Sequence, residues 1–137
     1  MKIGLISDTS RHLNGKTLAG MIFANSPWFR YSFAYCEKEY DQFYILSAKY
    51  GLISHKDIIE SYDEDINSKG KKDFQKWLTD TTEQIRKAFP VGTELYFHTG
   101  RRYRKLIHQL NDEYKCFVPM KGLAIGQQMQ KYKELLK

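Results

Sequence analysis

Phe-Tyr-Ile-Leu-Ser-Ala-Lys-Tyr-Gly-Leu-Ile, residues 43 to 53, is the stretch on which the reading of this chain turns. Phe43 to Leu46 form an apolar, strand-like run that breaks at once into Ser47, Ala48, Lys49, Tyr50 and Gly51. A buried strand that empties into small and polar residues is the pattern of a sheet delivering a working loop. An equally ordinary outcome of loop chemistry is that Gly51 closes the strand and Lys49 is solvated.

Working outward, Lys2 to Ser7 reads as a first strand, with Ile3, Leu5 and Ile6 apolar, and ends at Ser7-Asp8-Thr9-Ser10. His12, Asn14, Gly15 and Lys16 continue a polar loop without a Walker pattern. Thr17 to Phe23 has the composition of a short helix. Ser26 is placed to cap a second helix beginning at Pro27 and running to about Glu39. Its aromatics, Trp28 among them, fall at mostly helical spacing and read as core rather than as a base-stacking platform.

Beyond the central stretch, Asp57 to Asp65 is an acidic block. Asp73 to Phe89 then has helical spacing, with Phe74, Trp77, Leu78, Ile85, Ala88 and Phe89 on one face. Leu95 to Phe97 is a short strand ending in His98-Thr99-Gly100, with His98 read as packed rather than catalytic. Arg101 to Leu110 is expected as a helix whose amino end carries Arg101, Arg102, Arg104 and Lys105. Cations are disfavoured there by the helix dipole unless an anion binds. Lys115 to Val118 is a last strand and Ala124 to Leu136 a terminal helix.

Alternation of strands and helices implies parallel strands joined by right-handed crossovers. The expected fold is therefore a three-layer α/β/α sandwich, Rossmann-like, with a mostly parallel sheet of about four strands in one domain spanning residues 1–137. The ends of all four strands, at Ser7/Asp8, Ser47/Lys49, His98/Gly100 and Pro119/Lys121/Gly122, would open onto one edge, where such sheets bind ligands.

Composition narrows the class. The 137 residues carry 42% hydrophobic and 15% aromatic residues, which argues against disorder. No apolar run approaches a membrane span, and Ile3 to Ile6 is too short for a signal peptide, so a cytoplasmic protein without membrane association is expected. Cys36 and Cys116 lie far apart without Cys/His neighbours and read as reduced core thiols. Twenty-two Lys and Arg against sixteen Asp and Glu give a net charge of +6, which favours a polyanionic partner such as nucleic acid or a nucleotide-like molecule.

Ile45 to Ile53, followed by Ile59-Glu60-Ser61-Tyr62-Asp63, resembles the L-S-A-K-[HY]-G-L and I-x-P-Y-D signature of the uncharacterised domain-of-unknown-function family 6884. The resemblance runs along nearly the whole chain: residues 3 to 9, Ser26 to Phe29, the G-x-x-Y turn Gly100 to Tyr103, and the closing segment Pro119 to Gln128. That family is distantly similar to the peroxide-stress protein YaaA and to archaeosine synthase, which implies nucleic acids or modified bases as substrates. Two departures stand out. Asp8 occupies the place where the family often has cysteine, with Arg11 or His12 at the nearby lysine, and Ser61 replaces the proline before Tyr62.

These readings lead to a metal-independent and cofactor-free enzyme acting on a nucleobase, nucleoside or nucleic acid, by glycosidic-bond or base-modification chemistry. Asp8, Glu60 and Asp63 are candidate general bases or stabilisers of an oxocarbenium-like centre. Lys49 would hold phosphate or act as nucleophile if burial lowered its pKa. Ser7, Ser26, Ser47, Gly51 and Gly100 would line the site, Tyr50 and Tyr62 could stack on a base, and Arg101 and Arg102 would clamp phosphate. The alternative is a non-catalytic nucleic-acid-binding or regulatory protein, phage- or stress-related, using the same basic face. A divalent cation held by Asp8 and the acidic block is the weakest alternative, because the spacing fits no calcium loop.

Overall fold

The computed structural model describes residues 1–137. Its main sheet contains β1 (Lys2–Ser7), β3 (Gln42–Ser47), β4 (Gly51–Ile53), β6 (Glu94–His98) and β7 (Lys115–Phe117), in the order β4-β3-β1-β6-β7. β1 pairs in parallel with β3 and β6, and β6 in parallel with β7, while β4 folds back antiparallel on β3. The four expected strands are present, and β4 makes a fifth at the edge. Only three residues separate β3 from β4, so the Ser47–Gly51 turn is a hairpin as well as a strand end.

Side-chain alternation along β1 builds the three layers. Ile3 and Leu5 face a core with Leu46, Leu95 and Phe97, covered by α3 (Lys71–Ala88) and α4 (Leu106–Leu110). Ile6 faces the opposite core with Phe43 and Ile45, covered by α1 (Ala19–Ile22) and α2 (Pro27–Glu39). Successive strand residues point to opposite faces, so one strand seeds both cores. The closing helix α5 (Ile125–Leu135) packs beside α2, where its Tyr132 is fully buried. No helix is long and apolar enough to cross a membrane.

Helix α2 begins as its sequence directs, with the Ser26 hydroxyl accepting from the Phe29 amide at 3.2 Å and Pro27 in the first turn. Helix α3 closes on Arg86 and Lys87, as its dipole favours, while its first turn carries Asp73 behind two cations, Lys71 and Lys72. Two expectations change. The helix expected from Thr17 splits: Lys16–Leu18 is a strand, β2, pairing antiparallel with β5 (Ile58–Glu60), and only Ala19–Ile22 is helical. The helix expected from Arg101 begins as a 3-10 turn over Arg102–Lys105, and its α-helical part has only five residues. So short a helix has little dipole, which removes the helix-terminus argument for an anion at that point.

Candidate functional site

The pairing register brings the strand ends level. Ser7 lies opposite Leu46 and Ile6 opposite His98, so the loops after β1, β3 and β6 leave from one edge. A cavity of about 520 Å³ opens there, with Asp8 and Tyr103 in its wall.

Asp8 is held from three directions. The Ala48 amide donates to its Oδ2 at 2.9 Å, the Tyr62 hydroxyl donates to the same oxygen at 2.6 Å, and the Tyr103 hydroxyl donates to Oδ1. Burial lifts the Asp8 carboxyl above the ordinary carboxylate value. The hydrogen bonds from Tyr103, Tyr62 and Ala48 oppose that rise, and the charge of Asp65 adds to it. Burial, followed by the adjacent Asp8 charge, raises both phenols, so they remain protonated donors. A carboxylate oxygen has two acceptor positions. Both are taken on Oδ2 and one is left on Oδ1, beside the cavity.

Ser47 fixes the direction of this network. Its hydroxyl oxygen accepts from the amides of Lys49 at 3.1 Å and Tyr50 at 3.0 Å, and lies 2.6 Å from the Tyr62 hydroxyl. With two donors already on its oxygen, and Tyr62 donating to Asp8, the Ser47 hydrogen points to Tyr62. The chain of donation thus runs Ser47 to Tyr62 to Asp8. Trp77 Nε1 donates to the Ser47 carbonyl at 2.9 Å, and Gln84 of α3 binds the turn on its other side through Leu52 N and Tyr50 O.

The small β2–β5 sheet positions Tyr62. Ser61 exchanges hydrogen bonds with Gly15, its amide reaching the Gly15 carbonyl at 2.8 Å and its hydroxyl accepting from the Gly15 amide at 3.1 Å. That clasp aims Tyr62 at Asp8 and brings Asp63 to His12, whose Nε2 lies 3.1 Å from Asp63 Oδ1. Ser61 therefore performs a tethering task with its hydroxyl, at the place where the signature has a proline.

The candidates divide by position. Ser7, Asp8, Tyr62, Asp63, Gly100 and Arg101 line the cavity. Ser7 accepts from the Gly100 amide at 3.1 Å, which ties β1 to the loop after β6. Ser47 acts from below through Tyr62. Lys49 is exposed with its Nζ over the Tyr50 ring at 5.3 Å, outside the cavity, and lacks the burial that a nucleophilic lysine needs. Glu60 is exposed on β5 opposite Lys16. Ser26 caps α2, and Tyr50 packs edge-on against Tyr62. Gly51 has φ +76° and lies against Gln84, a structural requirement of the turn.

Arg102 does not line the cavity. Its Nη1 donates to the carbonyls of Ile66 at 2.6 Å and Lys69 at 2.8 Å, and its guanidinium lies 4.0 Å over the Phe74 ring. It anchors the segment after the acidic block. His98 is buried, with Nε2 2.6 Å from the Tyr40 hydroxyl and Nδ1 2.6 Å from that of Tyr132.

Sequence reasoning did not assign Trp28, Tyr103 and Gln128 to the site, and named His12 and Arg104 only as members of a polar loop and a basic cluster; all five line the cavity. Trp28 Nε1 donates to Gln128 Oε1 at 2.8 Å, so an indole assigned to the core also forms part of the wall. Tyr103 and Gln128 stand inside the segments that carry the family resemblance, and that was the available signal. No group of three or more His, Cys, Asp or Glu side chains is placed to share a metal ion, which leaves the cation alternative without a donor set.

Fold and cavity together define an α/β sandwich with a buried carboxylate at the carboxyl edge of a mostly parallel sheet. The model of a family of unknown function, DUF6884, matches residues 3–134, and the chain belongs to that family. Neither a curated protein nor a solved structure matches it.

Proposed function

We propose that the protein is an enzyme acting on a nucleobase, nucleoside or nucleotide-like ligand, with Asp8 as its acid–base group. One observation carries this reading: a carboxylate restrained by two tyrosine hydroxyls and an amide, with one acceptor position left beside a cavity of about 520 Å³. Groups that burial shifts from their ordinary pKa and that sit in clefts are candidates for proton transfer. A substrate N–H, or a water, would occupy the free position on Oδ1.

In N-glycosidic cleavage, the ionised Asp8 takes a proton from the attacking water. The hydroxyl adds to the sugar carbon as the glycosidic C–N bond breaks, and protonated Asp8 returns that proton to the leaving base nitrogen, which restores the carboxylate. Tyr62 and Tyr103 hold the carboxylate in place throughout. The indole of Trp28, fixed by Gln128, offers an aromatic wall for a base.

The test is incubation with a panel of nucleosides and 5′-nucleotides, with chromatographic detection of released or altered base. Asp8→Asn should reduce any turnover by about 100-fold or more, the scale of general acid–base catalysis. Turnover equal in wild type and Asp8→Asn would sink the assignment. A second reading, a non-catalytic nucleic-acid-binding protein, is favoured by the net charge of +6 and by the exposure of Lys49, which lies outside the cavity and leaves Asp8 without it as a partner. Under it no substrate turns over, and binding to single strands falls steeply with salt.

A further inference from the structure

We infer that the outer face of the small β2–β5 sheet docks on the same face of a second copy of this chain, about a twofold axis parallel to the strands. The inference stands apart from the chemistry at Asp8.

The two strands pair Lys16 with Glu60, Thr17 with Ile59 and Leu18 with Ile58. Side chains alternate across a sheet, so Thr17 and Ile59 turn inward, where Ile59 joins the core under α1 and α2. Lys16, Leu18, Ile58 and Glu60 turn outward, and all four are exposed. Leu18 is 42% exposed and Ile58 64%, so the outer surface of this cross-strand pair is left to water. Met21 of α1, 51% exposed, extends the apolar surface: it and Leu18 both line a groove of about 320 Å³ that also reaches Phe29 and Phe33. Single apolar residues on a surface need no explanation, but a contiguous patch beside a groove marks an interaction site.

The charges identify the occupant. Lys16 and Glu60 are register neighbours, yet neither takes part in an ion pair within the chain. A twofold axis lying along the strands, above the face, sets β2 of each copy over β5 of the other and keeps every residue at its own height. Lys16 then faces Glu60 of the second copy, and Leu18 faces Ile58 of the second copy, each twice by symmetry. The face is thus complementary to itself in charge and in hydrophobicity, as an isologous contact requires. Ile58, the most exposed of the apolar residues, comes to rest against Leu18 at the rim of the groove. A nucleic-acid strand would meet a carboxylate and two aliphatic side chains here, and a partner of uniform charge would oppose either Lys16 or Glu60.

The contact reaches the candidate site through the backbone. Gly15 and Ser61, whose clasp aims Tyr62 at Asp8, are the residues next to Lys16 and Glu60. A second copy seated on this face braces the arm that carries Tyr62.

The experiment is sedimentation analysis of the full chain. At about 100 μM the wild type should sediment at twice its 16.2 kDa chain mass, and dilution should dissociate it by mass action. Ile58→Asp should give a monomer whose circular dichroism is unchanged, since the residue replaced lies on the surface. Lys16→Glu and Glu60→Lys should each raise the dissociation constant at least about tenfold, because like charges then face one another at two symmetry-related places. Mixing these two variants should restore the dimer, as the two carboxylates of one chain meet the two lysines of the other. That rescue requires contact between chains, and no change of strand pairing within one chain can produce it. A wild type that stays monomeric at that concentration would assign the face to another partner or to none, and overturns the inference. A dimer that survives Ile58→Asp, or charge variants whose mixture stays monomeric, overturns it as well.

Discussion

Acidification from pH 7 to pH 5 should cost the folded protein about 2 kcal/mol through His98 alone. Burial lowers the His98 pKa from 6.5 to about 4, because the imidazolium would be cut off from water. The ring is 1% exposed, its neighbours are Tyr35, Tyr40 and Tyr132, and both nitrogens are engaged by tyrosine hydroxyls at 2.6 Å. In the neutral ring one nitrogen donates and the other accepts. Protonation would make both nitrogens donors and reverse one of those bonds.

The sign follows from proton counts. In the unfolded chain His98 takes up a proton near pH 6.5, whereas in the folded protein it does so only near pH 4, so the unfolded state binds more protons between them. The stability is fully present above pH 6.5 and is lost as pH falls towards 4. The two values lie about 2.5 pH units apart, about 3 kcal/mol in full at about 1.4 kcal/mol per unit. About 2 kcal/mol of this is lost by pH 5. Urea unfolding at pH 7, 6, 5 and 4.5, for wild type and His98→Gln, isolates the effect. The variant begins less stable, and its curve against pH should be flatter by that amount. Curves that stay parallel to within about 0.5 kcal/mol would show that His98 titrates alike in both states and refute the reasoning.

Three further outcomes follow from other sites. Gly51→Ala should destabilise by about 2 kcal/mol or more in denaturant melts, because its left-handed backbone disfavours a side chain and its Cβ would collide with Gln84 Oε1, the acceptor for Leu52 N. Tyr103→Phe removes a hydrogen bond that favours the ionised form of Asp8, so a ¹³C titration should find the Asp8 carboxyl titrating at higher pH than in wild type; an unchanged or lower value contradicts the network. Arg102→Ala should cost about 1.5–3 kcal/mol, the scale of hydrogen bonds to charged groups, with faster amide exchange across Ile66–Lys69.

Much of the architecture was legible because it depends on local pattern. The apolar runs of β1, β3, β6 and β7 and the periodicity of α3 specify strands and helices from neighbours a few residues away. The three-residue strands β2, β4 and β5 carry too little periodicity to be read, and exist because long-range partners complete their hydrogen bonds. The same limit explains the divided fate of the basic cluster. Arg101, Arg102 and Arg104 are alike as a charge run, yet the fold sends Arg102 to two carbonyls and leaves Arg104 facing the cavity.

By itself, the sequence determined the layered α/β class and marked the Ser47–Gly51 turn and Asp8 as features of one sheet edge, since strand periodicity and the turn chemistry of serine and glycine are short-range properties. Only the tertiary structure decided which groups surround Asp8. Tyr62 arrives from 54 residues away and Tyr103 from 95, each carried by loop geometry that no local pattern encodes. Lys49, adjacent in sequence to the Ala48 amide that binds Asp8, points to solvent. A hydrogen-bonded site is selected by distance in space, and distance in space is fixed only when the sheet register and the crossovers are complete.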